Sequence, residues 1–185
     1  MHALDEFAAP HRQAYSDDHG ATWRTSAFLE EGTTECQVAE LSNGNVYMSI
    51  RPYKELQAKS QGRRASAVST DGGASFGPVK FEPQLVNAGG VDGSVVSSSE
   101  TLFFSHPDAG GRANMTLYTS ADDAMTWEAT LNIYTGGAAY SSLAVLPAQG
   151  SSSSAEPETR ICRVGLAFEK DGYKSIAFTA IATAC

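Results

Sequence analysis

The 185-residue sequence predicts an all-β protein, a β-propeller of four-stranded blades. Three observations predict it. One eight-residue pattern, Ser-x-Asp-x-Gly-x-Thr-Trp, occurs at Ser16–Trp23, Ser69–Phe76 and Ser120–Trp127, with Ser75, Phe76 and Ala124 as variants. The opening serines lie 69 − 16 = 53 and 120 − 69 = 51 residues apart, and a fixed period of this size marks a repeat architecture. Charged residues are only 18% of the chain while Gly, Ser and Thr abound, which suits short strands and turns rather than helices. About four strand-like runs fall in each period, the content of one propeller blade.

Each pattern reads as a turn with its own clamp. The short Asp accepts hydrogen bonds from the turn's backbone N–H groups, and Gly supplies a left-handed conformation without steric cost. The closing Trp23, Phe76 or Trp127 starts the next strand and is expected to be buried between sheets. Ala124 stands in the glycine position, so the third turn either avoids a positive φ or stores slight strain. After the first pattern, Cys36–Leu41 and Val46–Ile50 flank Ser42-Asn43-Gly44-Asn45, a hairpin signal. After the second, Ser94–Ser98 pairs with Leu102–Ser105, and Met115–Ser120 runs into the third pattern. Ser141–Leu146 and Val164–Phe168 form another pair, followed by Ser175–Ile181. Between them, residues 147–159 are polar and Ser-rich and read as a long exposed loop. The count comes to about three to three and a half blades. A propeller hides its edges by closing, so the chain is expected to be the C-terminal half of a larger one.

Composition removes several function classes. No run of 18 apolar residues is present, so no transmembrane span is expected. Met1–Phe7 lacks a basic segment followed by an apolar stretch, so it does not read as a signal peptide. The net charge of −8 argues against nucleic-acid binding. Cys36, Cys162 and Cys185 have no zinc spacing and cannot all pair, which fits a reducing compartment.

Six further segments carry chemistry. They are Thr34-Glu35-Cys36-Gln37-Val38-Ala39-Glu40-Leu41, Met48-Ser49-Ile50-Arg51, Gly93-Ser94-Val95-Val96, Gly111-Arg112-Ala113-Asn114-Met115, Ala139-Tyr140-Ser141-Ser142-Leu143 and Gly165-Leu166-Ala167-Phe168-Glu169. In this order, and at this spacing from the repeated turns, the chain resembles the sialidases (neuraminidases), six-bladed propellers whose turns are called Asp-boxes. The resemblance runs from Tyr15 to Ala180 and makes residues 1–185 a partial sialidase propeller domain.

The resemblance implies an exo-α-sialidase that hydrolyses terminal sialic acid from glycoproteins, glycolipids such as gangliosides, and oligosaccharides, with retention. Sialic acid bears a carboxylate on its anomeric carbon. Arginine binds that anion through a planar, permanently charged fork. Arg51 and Arg112 match the second and third of the family's three arginines. A carboxylate nucleophile would be repelled by the substrate's anion, and the family uses a tyrosine instead. Tyr140 matches it. A phenol of pKa about 10 needs a base beside it, and Glu35 matches that base. Glu169 matches a carboxylate that orients the family's first arginine. The chemistry implies no cofactor and no metal.

Asp92 receives no role, Cys36 reads as a small buried hydrophobe and His106 as a loop residue. The family's first arginine, in a Phe/Tyr-Arg-Ile-Pro segment, and its acid/base aspartate have no match in this sequence; Arg12 lacks the context. Little activity is therefore expected of this chain alone. A trans-sialidase would use the same residues. A non-catalytic Asp-box propeller that binds glycan or protein would need the boxes but not Glu35, Arg51, Arg112 and Tyr140 together.

Overall fold

The computed structural model describes residues 11–147 and 161–184. A short ribbon comes first, β1 (Ala14–Tyr15) with β2 (Arg24–Thr25). A four-stranded antiparallel sheet follows, in the order β3 (Thr33–Glu40), β4 (Val46–Pro52), β5 (Arg63–Ser69), β6 (Lys80–Val86). The rest is one six-stranded sheet of β7 (Ser94–Ser98), β8 (Thr101–Ala109), β9 (Gly111–Ser120), β10 (Glu128–Val145), β11 (Ile161–Lys170) and β12 (Ser175–Ala184). Within each sheet every strand pairs with its neighbours in sequence, as propeller blades do.

The six-stranded sheet is two blades joined by one long strand. Residues 128–137 of β10 pair with β9, and residues 138–145 pair with β11. So β10 is the outer strand of one blade and then the inner strand of the next. The expected four-stranded blades hold for β3–β6 and for β7–β9 with the first half of β10. The last blade has three strands among the described residues. The expected loop at 147–159 lies, after its first residue, outside the described residues.

Alternation puts neighbouring side chains on opposite faces. Tyr47 and Phe104 enter one core, with Leu41, Leu85, Val95 and Trp127. Phe103 points the other way and packs with Leu117, Leu143, Val164 and Leu166. Met48 and Ile50 face a third core with Leu29 and Ala65. Each four-stranded blade is thus buried on both faces. A short helix not anticipated from the sequence, α1 (Lys54–Ser60), joins β4 to β5 and buries Leu56. It crosses Gly32, whose φ is +81° and where a Cβ would lie 2.6 Å from the Tyr53 carbonyl oxygen. No helix among the described residues is long and apolar enough to cross a membrane. Cys36 is a free thiol, but Cys162 is disulfide-bonded, which runs against the expected reducing compartment.

The three boxes occupy equivalent turns, β1–β2, β5–β6 and β9–β10, and repeat the same bonds. In each, the Asp Oδ1 accepts from the backbone N–H four residues on: Asp18 from Thr22 at 2.8 Å, Asp71 from Ser75 at 2.9 Å, Asp122 from Thr126 at 2.9 Å. The Oδ2 accepts from the same residue's hydroxyl at 2.6 Å in all three. Asp123 adds a bond across blades, accepting from the Ser42 N–H at 2.8 Å and hydroxyl at 2.7 Å. Ala124 does adopt a positive φ, 62°, so the third turn carries the strain that glycine avoids in the other two.

Trp127 is buried as expected, 5.9 Å from both Tyr47 and Phe104 between ring centroids, and Phe76 is half-buried. Trp23 is not buried: it is 66% exposed. Its ribbon has only two strands, and its indole N–H turns back to the Gly20 carbonyl at 3.1 Å.

One side chain ties the inner strands together. The Ser94 hydroxyl donates to Gln37 Oε1 on β3 and accepts from the Leu143 N–H on β10, each at 2.9 Å. Ser105 and Ser141 add a hydroxyl pair at 2.9 Å between β8 and β10.

Ser94→Ala leaves the buried Leu143 N–H without its partner and should destabilise the fold by about 1–3 kcal/mol. Urea denaturation checks this, and an unshifted midpoint would contradict it. The box carboxylates predict an acid effect. Bonds from the Ser75 hydroxyl and N–H, then from Ser69, hold Asp71 at about 2 against its ordinary 3.8. The unfolded chain takes up the proton first, so this stability is whole above 3.8 and is lost as pH falls through about 2. The Asp71→Asn protein should melt lower than wild type at pH 6 and lose less of its melting temperature on acidification. Parallel thermal melts across that range decide it.

Candidate active site

Two β-bulges aim the central side chains. In β3 the register slips between Thr34, opposite Arg51, and Cys36, opposite Ile50, so Glu35 is the extra residue. Its φ is 36°, an uncommon conformation for glutamate. In β10 the register slips again between Ala138, opposite Lys170, and Ser141, opposite Phe168, which frees Ala139 and Tyr140 opposite Glu169. Bulges turn a side chain out of the alternation and are common beside active sites.

The two bulges meet. The Tyr140 hydroxyl donates to Glu35 Oε1 at 2.9 Å. Arg51, on β4 beside the first bulge, donates from Nη1 to Glu35 Oε2 at 2.6 Å and lies 3.4 Å from the Tyr140 oxygen. The Arg51 and Glu35 side chains are 21% and 28% exposed, so the pair is neither dry nor freely solvated. The Glu169 Oε2 accepts the Tyr140 N–H at 3.2 Å, satisfying the backbone group released by the second bulge. Glu169 here supports Tyr140.

Arg112, the second residue of β9, stands over the Tyr140 ring with its guanidinium carbon 5.7 Å from the ring centroid. Its Nε donates to the Gly89 carbonyl at 3.1 Å and its Nη2 to the Gly90 carbonyl at 3.4 Å. That turn needs glycine: at Gly89, φ is +65° and a Cβ would lie 2.5 Å from Arg112 Cγ. Arg112 Nη1 also donates to the Tyr173 hydroxyl. The five expected site residues, Glu35, Arg51, Arg112, Tyr140 and Glu169, are therefore gathered in one cluster. They sit where β3 begins and β4 ends, where β9 begins and β11 ends. The second and third boxes close the opposite ends of the same sheets.

Electrostatics keeps the phenol protonated. Burial, then the bond to Glu35 and its negative charge, push the Tyr140 pKa above its ordinary value; Arg51 and Arg112 pull it down less. The neutral phenol is thus a proton donor to Glu35. Below it, Arg64 is fully buried, with Nη1 2.9 Å from the Val91 carbonyl and Nη2 3.7 Å from Asp92. Burial raises the Asp92 pKa to about 6, with Arg64 opposing and Glu35 adding to the rise. Burial likewise pushes the Cys36 thiol up to about 12, so it is inert. His106 is no loop residue: it is fully buried in β8, and burial plus Arg64 hold it neutral, at about 3. Among the described residues no group of His, Cys, Asp and Glu could hold a metal ion.

Tyr173, Arg64 and the Gly89 and Gly90 carbonyls were not foreseen. The Asp171-Gly172 turn signal, next to Glu169 in sequence, could have pointed to Tyr173.

The fold and this cluster define a BNR-repeat propeller with a phenol, a carboxylate and arginines at one end of its blades. The BNR repeat-like domain matches residues 5–151. A sialidase of Micromonospora viridifaciens is 35% identical over 143 residues, 72% of this chain and 21% of that protein. Sialidase-2 of Cricetulus griseus is 29% identical over 180 residues, 88% of this chain and 44% of its own length. The solved structure of a Hadza microbial sialidase superposes with a TM-score of 0.66 at 25% identity, covering 90% of this chain and 31% of that one. The chain belongs to the sialidase family of BNR-repeat proteins. It spans less than half the length of these relatives.

Replacing Glu35 by Gln removes a like charge from the phenol, so the Tyr140 pKa should fall toward its ordinary value. Titration of the Tyr140 ring carbon signal by NMR measures it. An unchanged or higher value would contradict the contact.

Proposed function

We propose that the chain carries the nucleophile side of an exo-α-sialidase site acting on sialylated glycoproteins, gangliosides or oligosaccharides. The observation that carries this reading is the Tyr140 hydroxyl bonded to Glu35 at 2.9 Å, with Arg51 beside both. A neutral phenol approaches an anionic sugar without the repulsion a carboxylate would meet. As the Tyr140 oxygen bonds the anomeric carbon, Glu35 takes the phenol proton and the glycosidic oxygen leaves with a proton from an acid. Water then attacks the same carbon, gives up a proton to that acid's conjugate base, and the phenolate leaves and recovers its proton from Glu35. Two displacements at one carbon give retention. Arg51 and Arg112 hold the substrate carboxylate, and Glu169 keeps the Tyr140 bulge in place.

The sequence offers no match to the family's acid/base aspartate or first arginine. Residues 1–185 are therefore proposed as one part of a catalytic propeller, with little turnover alone, since a positioned acid contributes on the order of 10²–10⁴ in rate. A 2,3-difluorosialic acid tests the nucleophile without that acid, because fluoride leaves unprotonated. The 3-fluorine slows both steps, so the adduct persists. Mass spectrometry should find the sugar on the peptide containing Tyr140, and Tyr140→Phe should remain unlabelled. Sugar attached elsewhere, or binding without labelling, would overturn the proposal and favour a non-catalytic glycan-binding propeller.

A further inference from the structure

We infer that Tyr173, on the turn between β11 and β12, is the positioning residue that aims Arg112 at a ligand carboxylate. The inference rests on the reading of Arg112 as a carboxylate clamp. A guanidinium has five N–H groups. In Arg112 one goes to Gly89, one to Gly90 and one to the Tyr173 hydroxyl. Taking 5 − 3 leaves two N–H groups, the number a bidentate carboxylate fork uses. The two glycine carbonyls belong to one turn. Tyr173 supplies the remaining bond, and its ring centroid lies 6.0 Å from the guanidinium carbon, against 5.7 Å for Tyr140. Arg112 thus stands between two aromatic rings and three acceptors.

The turn is shaped for this contact. Asp171, Gly172 and Tyr173 have φ of 54°, 66° and 68°. Asp and Gly tolerate that region, whereas a tyrosine there is strained and persists only where its surroundings hold it. They do hold it. The Asp171 N–H donates to the Gly137 carbonyl at 2.8 Å, and the Tyr134 hydroxyl donates to the Asp171 carboxylate. Gly137 pairs with Ala113, the residue after Arg112. The turn is therefore fastened to the strand beside the arginine that Tyr173 contacts. Core packing does not explain the conformation, because Tyr173 is 55% exposed. Removing its hydroxyl frees Nη1 to swing, weakening the fork while leaving Tyr140 and Glu35 untouched.

The test uses the whole chain with two probes, N-acetylneuraminic acid and its uncharged C1 methyl ester, titrated by ligand-observed NMR. Wild type should bind the acid more tightly than the ester. Tyr173→Phe keeps the ring and should weaken acid binding on the order of ten-fold, with ester binding unchanged. Full acid preference in Tyr173→Phe would overturn the inference while leaving the clamp intact. Absence of any acid preference in wild type would overturn the clamp reading and the inference with it. A readout without ligand stands beside these. The Arg112 Nη resonances should be distinct in wild type and averaged by rotation in Tyr173→Phe, and identical spectra would overturn the inference.

Discussion

The site depends on three inner strands staying side by side, and Ser94 is where they meet. Its hydroxyl bonds β3 through Gln37 and β10 through the Leu143 N–H. Those two strands carry Glu35 and Tyr140, which are 105 residues apart in sequence yet 2.9 Å apart in space. A hydroxyl can donate once and accept at the same time, so one serine serves both neighbours. Apolar packing between blades sets their spacing. Directional bonds at the inner strands set their register, and register decides which side chains face each other.

The chemistry is then built on departures from regular β structure. Regular alternation would place Glu35 and Tyr140 by parity alone. Each instead sits in a bulge, Glu35 with a left-handed backbone and Tyr140 with its N–H bonded to the Glu169 side chain. The charges are arranged with similar economy. Arg51 offsets Glu35 directly, and Glu35 outweighs both arginines in its effect on the phenol. The resting site therefore holds a protonated phenol on a base, the state from which a proton can move as an oxygen–carbon bond forms.

Much of this was legible in the sequence. The repeated boxes gave the blade period because the clamp needs Ser, Asp and Thr at fixed offsets, and the structure repeats the same bonds each time. The hairpins around Asn43-Gly44 and Ser98-Ser99-Glu100 were legible because turn residues separate runs of strand formers. Glu35, Arg51, Arg112, Tyr140 and Glu169 were found through the sialidase resemblance, and geometry alone could not have been read from their spacing. What escaped has physical reasons. The Gly136-Gly137 pair looks like a break, but it marks where β10 changes partners, and it hid the alternation of Ala129, Leu131 and Ile133. Trp23 was misplaced because burial depends on what lies beside a ribbon, which a turn motif does not encode. Tyr173 was missed because the Asp171-Gly172 signal marks a turn but does not say which side chain that turn brings to Arg112.

The central claim is that Glu35, Arg51, Arg112 and Tyr140 form one site for an anionic sugar. A crystal structure of the chain soaked with N-acetylneuraminic acid tests it most directly. The account predicts the sugar carboxylate on the guanidinium groups of Arg51 and Arg112, with the anomeric carbon about 3–3.5 Å from the Tyr140 oxygen. A sugar bound at the box turns, or one bound in the cluster with Tyr140 turned away from its anomeric carbon, would contradict it.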